Sequence, residues 1–296
     1  MALPALRLLT GAGLSVVIAG KPWAQSLLAG MGWDFVALEG RVWADAQRLR
    51  AAARTHEARR ALVLPNSLGS ALACRLAGLS PAGLDTDARG LLLAVRLPAP
   101  RAAHEVERFF TAARGALRGW GYPPPADQPL LRLGLKLTDD DRATARAALA
   151  AAGVPRPFAL LAPLARGTHH GQAKHWPHFG VLPRLLAERG LATVAAPPSD
   201  EVAATRAALP DAVLLPPLPL GVFAALAAEA ALVIANDSGT SHVAAAVGAP
   251  QVTIVGVTDP ARTGPWSPAA TVVGREGAWP TVDQVTVAID AKLAGT

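Results

Sequence analysis

The chain has 296 residues, 51% apolar and only 17% charged, which suffices for one large or two ordinary domains around a sizeable core and excludes a disordered chain. Its net charge of +6 rests on scattered arginines with no dense basic tract, which argues against nucleic acid and for an anionic surface or phosphorylated substrate. No apolar run reaches the ~18 residues that span a bilayer, and the lone Cys74 cannot form an internal disulfide, which fits a reducing compartment.

From the start, Met1 to Leu9 is too short an apolar stretch for a secretory signal and lacks a basic leader. Gly11-Ala12-Gly13 lacks the third glycine of a dinucleotide fingerprint and precedes a strand instead of following one. Leu14 to Ala19, Asp34 to Leu38 and Ala61 to Leu64 read as buried parallel strands, with helices at Trp23 to Met31, Trp43 to Arg54 and Ser67 to Ala77. In the second of these helices Trp43, Ala46, Leu49 and Ala53 share a face near Arg41, Arg48, Arg50 and Arg54. That face suits either core packing or an anionic lipid surface. Ser67, after Pro65-Asn66, lies in no G-x-S-x-G elbow; a helix N-cap or an acceptor-side role both fit it. Asp85-Thr86-Asp87 has the D-x-D pattern of metal-dependent glycosyl transfer, but it lies in the first half and reads as a turn.

Pro123-Pro124-Pro125 and the polar stretch after it read as a linker, dividing the chain into residues 1–122, 123–138 and 139–296. Asp139-Asp140-Asp141 opens a helix running to Ala152, with acids where the helix dipole favours them. A second alternating series follows. Its strands are Phe158 to Ala162, Ala192 to Ala196, Ala212 to Leu215, Leu232 to Ala235 and Gln251 to Val255. Its helices are Trp176 to Glu188, Glu201 to Leu209, Gly221 to Ala228 and Thr240 to Val247. The last element, Thr281 to Leu293, opens with Thr281 and Gln284 at capping-box spacing. Two α/β series and a terminal helix imply two Rossmann-like domains facing a cleft.

The most informative segment is the strand ending at Ala235, the polar turn Asn236-Asp237-Ser238 and the small-residue helix that starts near Gly239. This layout aims free N–H groups and the positive end of a helix at one point, an anion site suited to phosphate or pyrophosphate. Asp237 and His242 flank it and can hold hydroxyls or balance charge; an ordinary helix cap and a core histidine are their plainer readings. Lys174, one of four lysines, follows a loop with Gly167 and Gly171 and precedes Trp176-Pro177, where a helix is expected to start. His169, His170, His175 and His178 lack zinc-ligand spacing and cysteine partners, so no metal site is expected.

The stretch from Ile234 to Pro265 resembles the signature of the family 9 glycosyltransferases, the ADP-heptose:lipopolysaccharide heptosyltransferases. It matches an N-D-[ST]-G-x-x-H-x-A-A-A-x-G-x-P run, an apolar strand and a G-x-T-x-P-x-R-x-x-P run. Ala173-Lys174-His175-Trp176-Pro177 is similar to the family's lysine–tryptophan–proline loop, and the Leu64 to Leu72 segment resembles a motif of the heptosyltransferase II branch. The resemblance implies a GT-B architecture and inverting transfer of a heptose from ADP-heptose to a lipopolysaccharide inner-core acceptor of the Kdo–lipid A type. It implies no cofactor and no metal, and a cytoplasmic enzyme with peripheral contact at the inner membrane face. By the same resemblance Asp237 holds the donor sugar and Ser238, Gly239 and Thr240 the diphosphate. His242 faces that site, Lys174 contacts the donor phosphate and stabilises the leaving ADP, and Asn66 and Ser67 lie on the acceptor side.

Two departures stand out. The loop from Pro163 to Lys174 is a few residues longer than the family's, which leaves the placement of Thr168, His169 and His170 open. Family members also open with a strand and a Gly-Asp turn, bearing the proposed general base, before a segment like Met1 to Leu6. Here no Asp or Glu precedes Asp34, so the base is unassigned; the expectation is a missing start. A non-catalytic ADP-sugar-binding protein of the same fold and a related nucleotide-sugar epimerase are the alternatives.

Overall fold

The computed structural model describes residues 1–100, 103–165, 167–169 and 171–295, with only the backbone described at 168, 169, 172 and 173. The chain forms two compact units, Met1–Leu130 and Leu131–Thr296.

The first unit contains α1 (Leu3–Gly11), β1 (Val17–Gly20), α2 (Trp23–Leu28), β2 (Asp34–Ala37) and α3 (Val42–Thr55). It continues with β3 (Arg60–Val63), α4 (Leu68–Leu76), β4 (Ser80–Leu84), β5 (Val95–Leu97) and α5 (Glu105–Gly119). All strand pairs here are parallel, but they form two separate sheets, β1–β2 and β3–β4–β5. Helices α1 and α5 pack through Ala5, Leu8 and Leu9 against Phe110, Ala113 and Leu117. On another side Cys74, Ala77 and Leu79 pack with Leu49 and Ala53. Helix α5 starts where His104 Nδ1 accepts from Val106 N–H at 3.2 Å and Glu107 accepts from His104 N–H at 3.0 Å, a reciprocal cap.

The second unit contains α6 (Asp139–Ala151), β6 (Phe158–Ala162), the two-residue hairpin strands β7 (Thr168–His169) and β8 (Gln172–Ala173), α7 (Leu182–Ala187), β9 (Ala192–Ala195) and α8 (Val202–Ala208). Then come β10 (Val213–Leu214), α9 (Leu220–Glu229), β11 (Leu232–Asn236), α10 (Gly239–Val247), β12 (Gln251–Val255), α11 (Pro260–Thr263), β13 (Ala270–Gly274) and α12 (Val282–Ala294). Six parallel strands run in the order β10-β9-β6-β11-β12-β13. The first strand is central, and the chain reverses direction across the sheet between β6 and β11, where open α/β sheets bind ligands at the strands' carboxyl ends. Every residue of β11 and β12 is buried, as covered parallel strands require. One face carries Phe179, Leu182, Leu186 and Ile289, the other Leu149, Val222, Leu226 and Ala244.

The helix expected from Trp176 is corrected. Residues Phe179–Val181 form a 3-10 turn and α7 begins only at Leu182, with Pro183 in its first turn. Trp176 is held elsewhere: its N–H donates to the Asn236 side chain, and its buried indole Nε1 donates to the Pro280 carbonyl at 2.8 Å. The capping box at α12 forms as read, with Thr281 N–H to Gln284 Oε1 at 2.9 Å and Gln284 N–H to Thr281 Oγ1 at 3.3 Å.

Candidate functional site

Asn236, at the carboxyl end of β11, is fully buried and uses both ends of its amide. Its Nδ2 donates to the Pro163 carbonyl at 2.7 Å, and its Oδ1 accepts from Trp176 N–H at 3.0 Å. The loop that carries Lys174 is thereby pinned at both ends to the turn that carries Asp237. Lys174 is half-buried, two residues before the pinned Trp176. Inside the loop, the exposed His175 accepts from Ala165 N–H through Nδ1 at 3.1 Å. His170 and the side chains of Thr168 and His169 lie outside the described residues. Among those described, no group of three His, Cys, Asp or Glu could hold a metal ion.

Asp237 is 8% exposed, and its two carboxylate oxygens differ. Oδ2 accepts from Thr258 Oγ1 at 2.6 Å and from Thr263 Oγ1 at 3.3 Å. Oδ1 is buried with no hydrogen-bond partner among the described residues, and so is the neighbouring Ser238 Oγ. An orphaned carboxylate oxygen costs more than an orphaned neutral group, and a hydroxyl-bearing ligand would satisfy it. His242 Nε2 stands 4.0 Å from Oδ1, a pair that attracts only when the imidazole is protonated. His242 is half-buried, with 23% of its side chain exposed.

The first turn of α10 leaves the N–H groups of Gly239 and Thr240 without intrahelical acceptors. Gly239 is exposed, with open space around the position a Cβ would take. Ser241 Oγ donates to the Ser238 carbonyl at 2.8 Å, which fixes the turn. An open crevice nearby, at the ends of β6 and β9, is walled by Ala162, Pro163, Ala196, Pro197 and Thr240. Behind the Thr258 loop, Gly256 is required for packing: a Cβ there would fall 2.0 Å from the Trp279 indole.

Asn66 and Ser67 lie in the first unit. Ser67 caps α4 by accepting from Ser70 N–H at 3.3 Å. Asn66 Oδ1 accepts from Arg89, which is fully buried and also donates to the carbonyls of Pro65 and Leu84. Burial pulls the Arg89 guanidinium below its usual range. The sequence reading missed Arg89, although a lone arginine after Asp85-Thr86-Asp87 was a signal: that segment turns back, with Asp87 and Ala88 at φ 51° and 59°, and its aspartates sit near the guanidinium. Of the α3 face, Ala46 is buried and Leu49 and Ala53 pack inward, while Trp43 is 73% exposed. No helix among the described residues is long and apolar enough to cross a membrane.

Over 121 residues the chain is 33% identical to lipooligosaccharide heptosyltransferase 2 of Haemophilus influenzae, a match spanning 36% of this chain and about a third, 34%, of that relative. Among solved structures it is similar to the ADP-heptose LPS heptosyltransferase II of E. coli, with TM-score 0.80 and 23% identity over 99% of this chain and 94% of that one. It is also similar to the E. coli heptosyltransferase WaaC with ADP, with TM-score 0.74 and 22% identity over 98% and 95% of the two chains. These likenesses show the GT-B fold. The model of glycosyltransferase family 9 (heptosyltransferase) matches residues 46–291, and the chain belongs to that family.

Proposed function

We propose that this protein transfers a heptose from ADP-heptose to a hydroxyl of a lipopolysaccharide inner-core acceptor of the Kdo–lipid A type, with inversion. The observation that carries this reading is the pair of orphaned, buried acceptors, Asp237 Oδ1 and Ser238 Oγ, at the open N-terminus of α10. Asp237 orients sugar hydroxyls through Oδ1 while Thr258 and Thr263 hold Oδ2. The N–H groups at Gly239 and Thr240 receive the diphosphate. The acceptor hydroxyl gives up its proton to water as its oxygen attacks the anomeric carbon from the face opposite ADP, the bond to the β-phosphate oxygen breaks, and charge passes through an oxocarbenium-like state. Lys174 offsets the negative charge that grows on ADP. The apolar crevice at the ends of β6 and β9 suits a flat nucleobase. Asn66 and Ser67 belong to the acceptor side. The reaction takes place in the cytoplasm, with peripheral contact at the inner membrane face supported by the net charge of +6 and the exposed Trp23 and Trp43.

The test is calorimetry with ADP and ADP-heptose in the presence of a chelator. Binding of both, with Asp237→Ala losing the sugar's share and keeping ADP, supports the reading. No ADP binding, or binding only with a divalent metal, overturns it.

One observation favours a second reading, a non-catalytic ADP-sugar binder. Near the carboxyl end of β2 in the first unit, Asp45 accepts from the N–H groups of Glu39 and Gly40 at 2.8 and 3.0 Å, and Glu39 pairs with Arg41 and Arg48. These carboxylates are engaged in structure, and a hydroxyl needs a positioned base for a typical 10²–10⁴-fold gain. Donor binding without transfer to a Kdo–lipid A acceptor selects this reading.

A further inference from the structure

Arg89 has no exposed surface, and its guanidinium donates to three neutral oxygens at the carboxyl ends of two neighbouring parallel strands. Its Nε donates to the carbonyl of Leu84, the last residue of β4, at 2.8 Å. Its Nη1 donates to the Pro65 carbonyl and its Nη2 to Asn66 Oδ1 at 3.2 Å, both just past the end of β3. The chain is shaped around this head. Asp87 and Ala88 take φ values of 51° and 59°, a left-handed conformation that residues other than glycine adopt at a cost. The turn they make closes with Arg89 N–H on the Thr86 carbonyl at 3.1 Å. Gly83 keeps the space open: a Cβ there would lie 3.0 Å from the Val63 carbonyl and 3.4 Å from Arg89 Nη2. Asp85 and Asp87, both exposed, sit near enough to offset the buried charge, so the segment is not a general trap for anions.

A guanidinium carries donors and no acceptor, so the Asn66 amide must turn its oxygen toward Arg89 and keep its Nδ2 for something else. Asn66 is exposed, and Nδ2 meets no hydrogen-bond acceptor among the described residues. Ser67 beside it is engaged as the cap of α4. We propose that Arg89 is a positioning residue for the acceptor: it fixes Asn66 as a one-way donor, whose Nδ2 binds a carboxylate oxygen of an acidic sugar in the acceptor. An ionised carboxylate only accepts, and its match is a group that only donates; an unanchored asparagine offers either end. Holding the amide in one orientation before the ligand arrives also removes part of the ordering cost of binding. The inference rests on the acceptor-side reading of Asn66 proposed above, and adds to it the polarity of the contact and the buried residue that sets it.

The test is binding of detergent-dispersed Kdo–lipid A, with the sugar carboxyl free or as its methyl ester, and thermal melts in parallel. The proteins compared are the wild type, Asn66→Asp, Asn66→Ala, Arg89→Lys and the double variant Asn66→Ala with Arg89→Lys. Asn66→Asp is decisive, because it keeps a partner for the buried Arg89 and presents an oxygen where the donor was. Its binding of the free acid should weaken by about 10- to 100-fold, the loss of a hydrogen bond to a charged group, while the uncharged ester changes less. Arg89→Lys has a single ammonium that cannot span three acceptors. It should weaken acid binding as Asn66→Ala does, and add nothing in the double variant. A lowered melting temperature with the wild-type preference for acid over ester would make Arg89 structural only and overturn the proposal. Unchanged or tighter acid binding by Asn66→Asp would mean that a ligand hydroxyl donates to residue 66, which also overturns it. Failure of the wild type to bind Kdo–lipid A at all would strike the acceptor reading, and the proposal with it.

Discussion

Thr258 Oγ1 donates to Asp237 Oδ2 at 2.6 Å, joining the loop after β12 to the turn after β11 across 21 positions of sequence. The bond fixes which carboxylate oxygen is engaged and which, Oδ1, is left without a hydrogen-bond partner. Thr258→Val keeps the shape and removes the donor. A hydrogen bond to a charged group contributes about 1.5–3 kcal/mol. Calorimetry should show sugar-nucleotide affinity falling by about tenfold or more while ADP alone changes little; equal losses for both would mean that Asp237 does not read the sugar.

Asn236→Ala removes both pins of the Lys174 loop and leaves the Pro163 carbonyl and the Trp176 N–H buried without partners. Each orphan costs about 1–3 kcal/mol. Urea unfolding should show a loss of several kcal/mol, and Asn236→Asp should be no better, since a carboxylate can serve Trp176 N–H but faces the Pro163 carbonyl unfavourably. A loss within error of zero would mean that the loop ends are held by other contacts.

Lys174→Met should leave the melting temperature nearly unchanged, because the side chain is half-exposed and its loop is pinned elsewhere. Turnover of an active enzyme should drop by roughly 10²–10³, the usual loss on removing one donor to a developing charge. Near-normal turnover would remove Lys174 from the chemistry.

Gly256→Ala places a methyl 2.0 Å from the Trp279 ring, which must move. Overpacking of this kind costs about 1–3 kcal/mol. Thermal unfolding should register it, with a changed tryptophan fluorescence; an unaltered melt would show that the indole has room to shift.

Burial raises the Cys74 thiol from 9.0 to about 11. The unfolded chain loses this proton first as pH rises, so the linked stability is fully present below about pH 9 and is lost as pH climbs toward 11. Cys74→Ser should flatten that part of the stability–pH curve. At pH 8 a thiol reagent should modify the native protein far more slowly than the urea-unfolded chain.

The strands that sequence reads best are those with continuous apolar runs between turn residues: Phe158–Ala162 and Gln251–Val255 match end to end. Capping chemistry is equally local, and Thr281 with Gln284 identifies its helix from four residues. Strand β4 is hidden because Ser80-Pro81-Ala82-Gly83-Leu84 contains two poor strand formers, and burial between neighbours overrides that preference. Helices α1 and α5 and the elements β5, α11 and β13 carry no comparable local signal, and no residue of β13 is fully buried. Pro177 suggested a helix start, yet the proline that opens the helix is Pro183, six residues on. At the site, the sequence motif brings Asp237, Ser238, Gly239, Thr240 and His242 together because they are neighbours in the chain. The Asn236 clamp spans 60 and 73 positions, and no local pattern reveals it.

The indole of Trp176 ends on the carbonyl of Pro280, the residue just before the cap of the terminal helix. The C-terminal helix is therefore mechanically in series with the loop that carries Lys174: helix cap, indole, loop end, amide clamp. Anything that frays α12, such as a bulky C-terminal fusion, loosens the loop from 104 positions away, and a ligand that stiffens the loop should slow amide exchange in the helix's first turn.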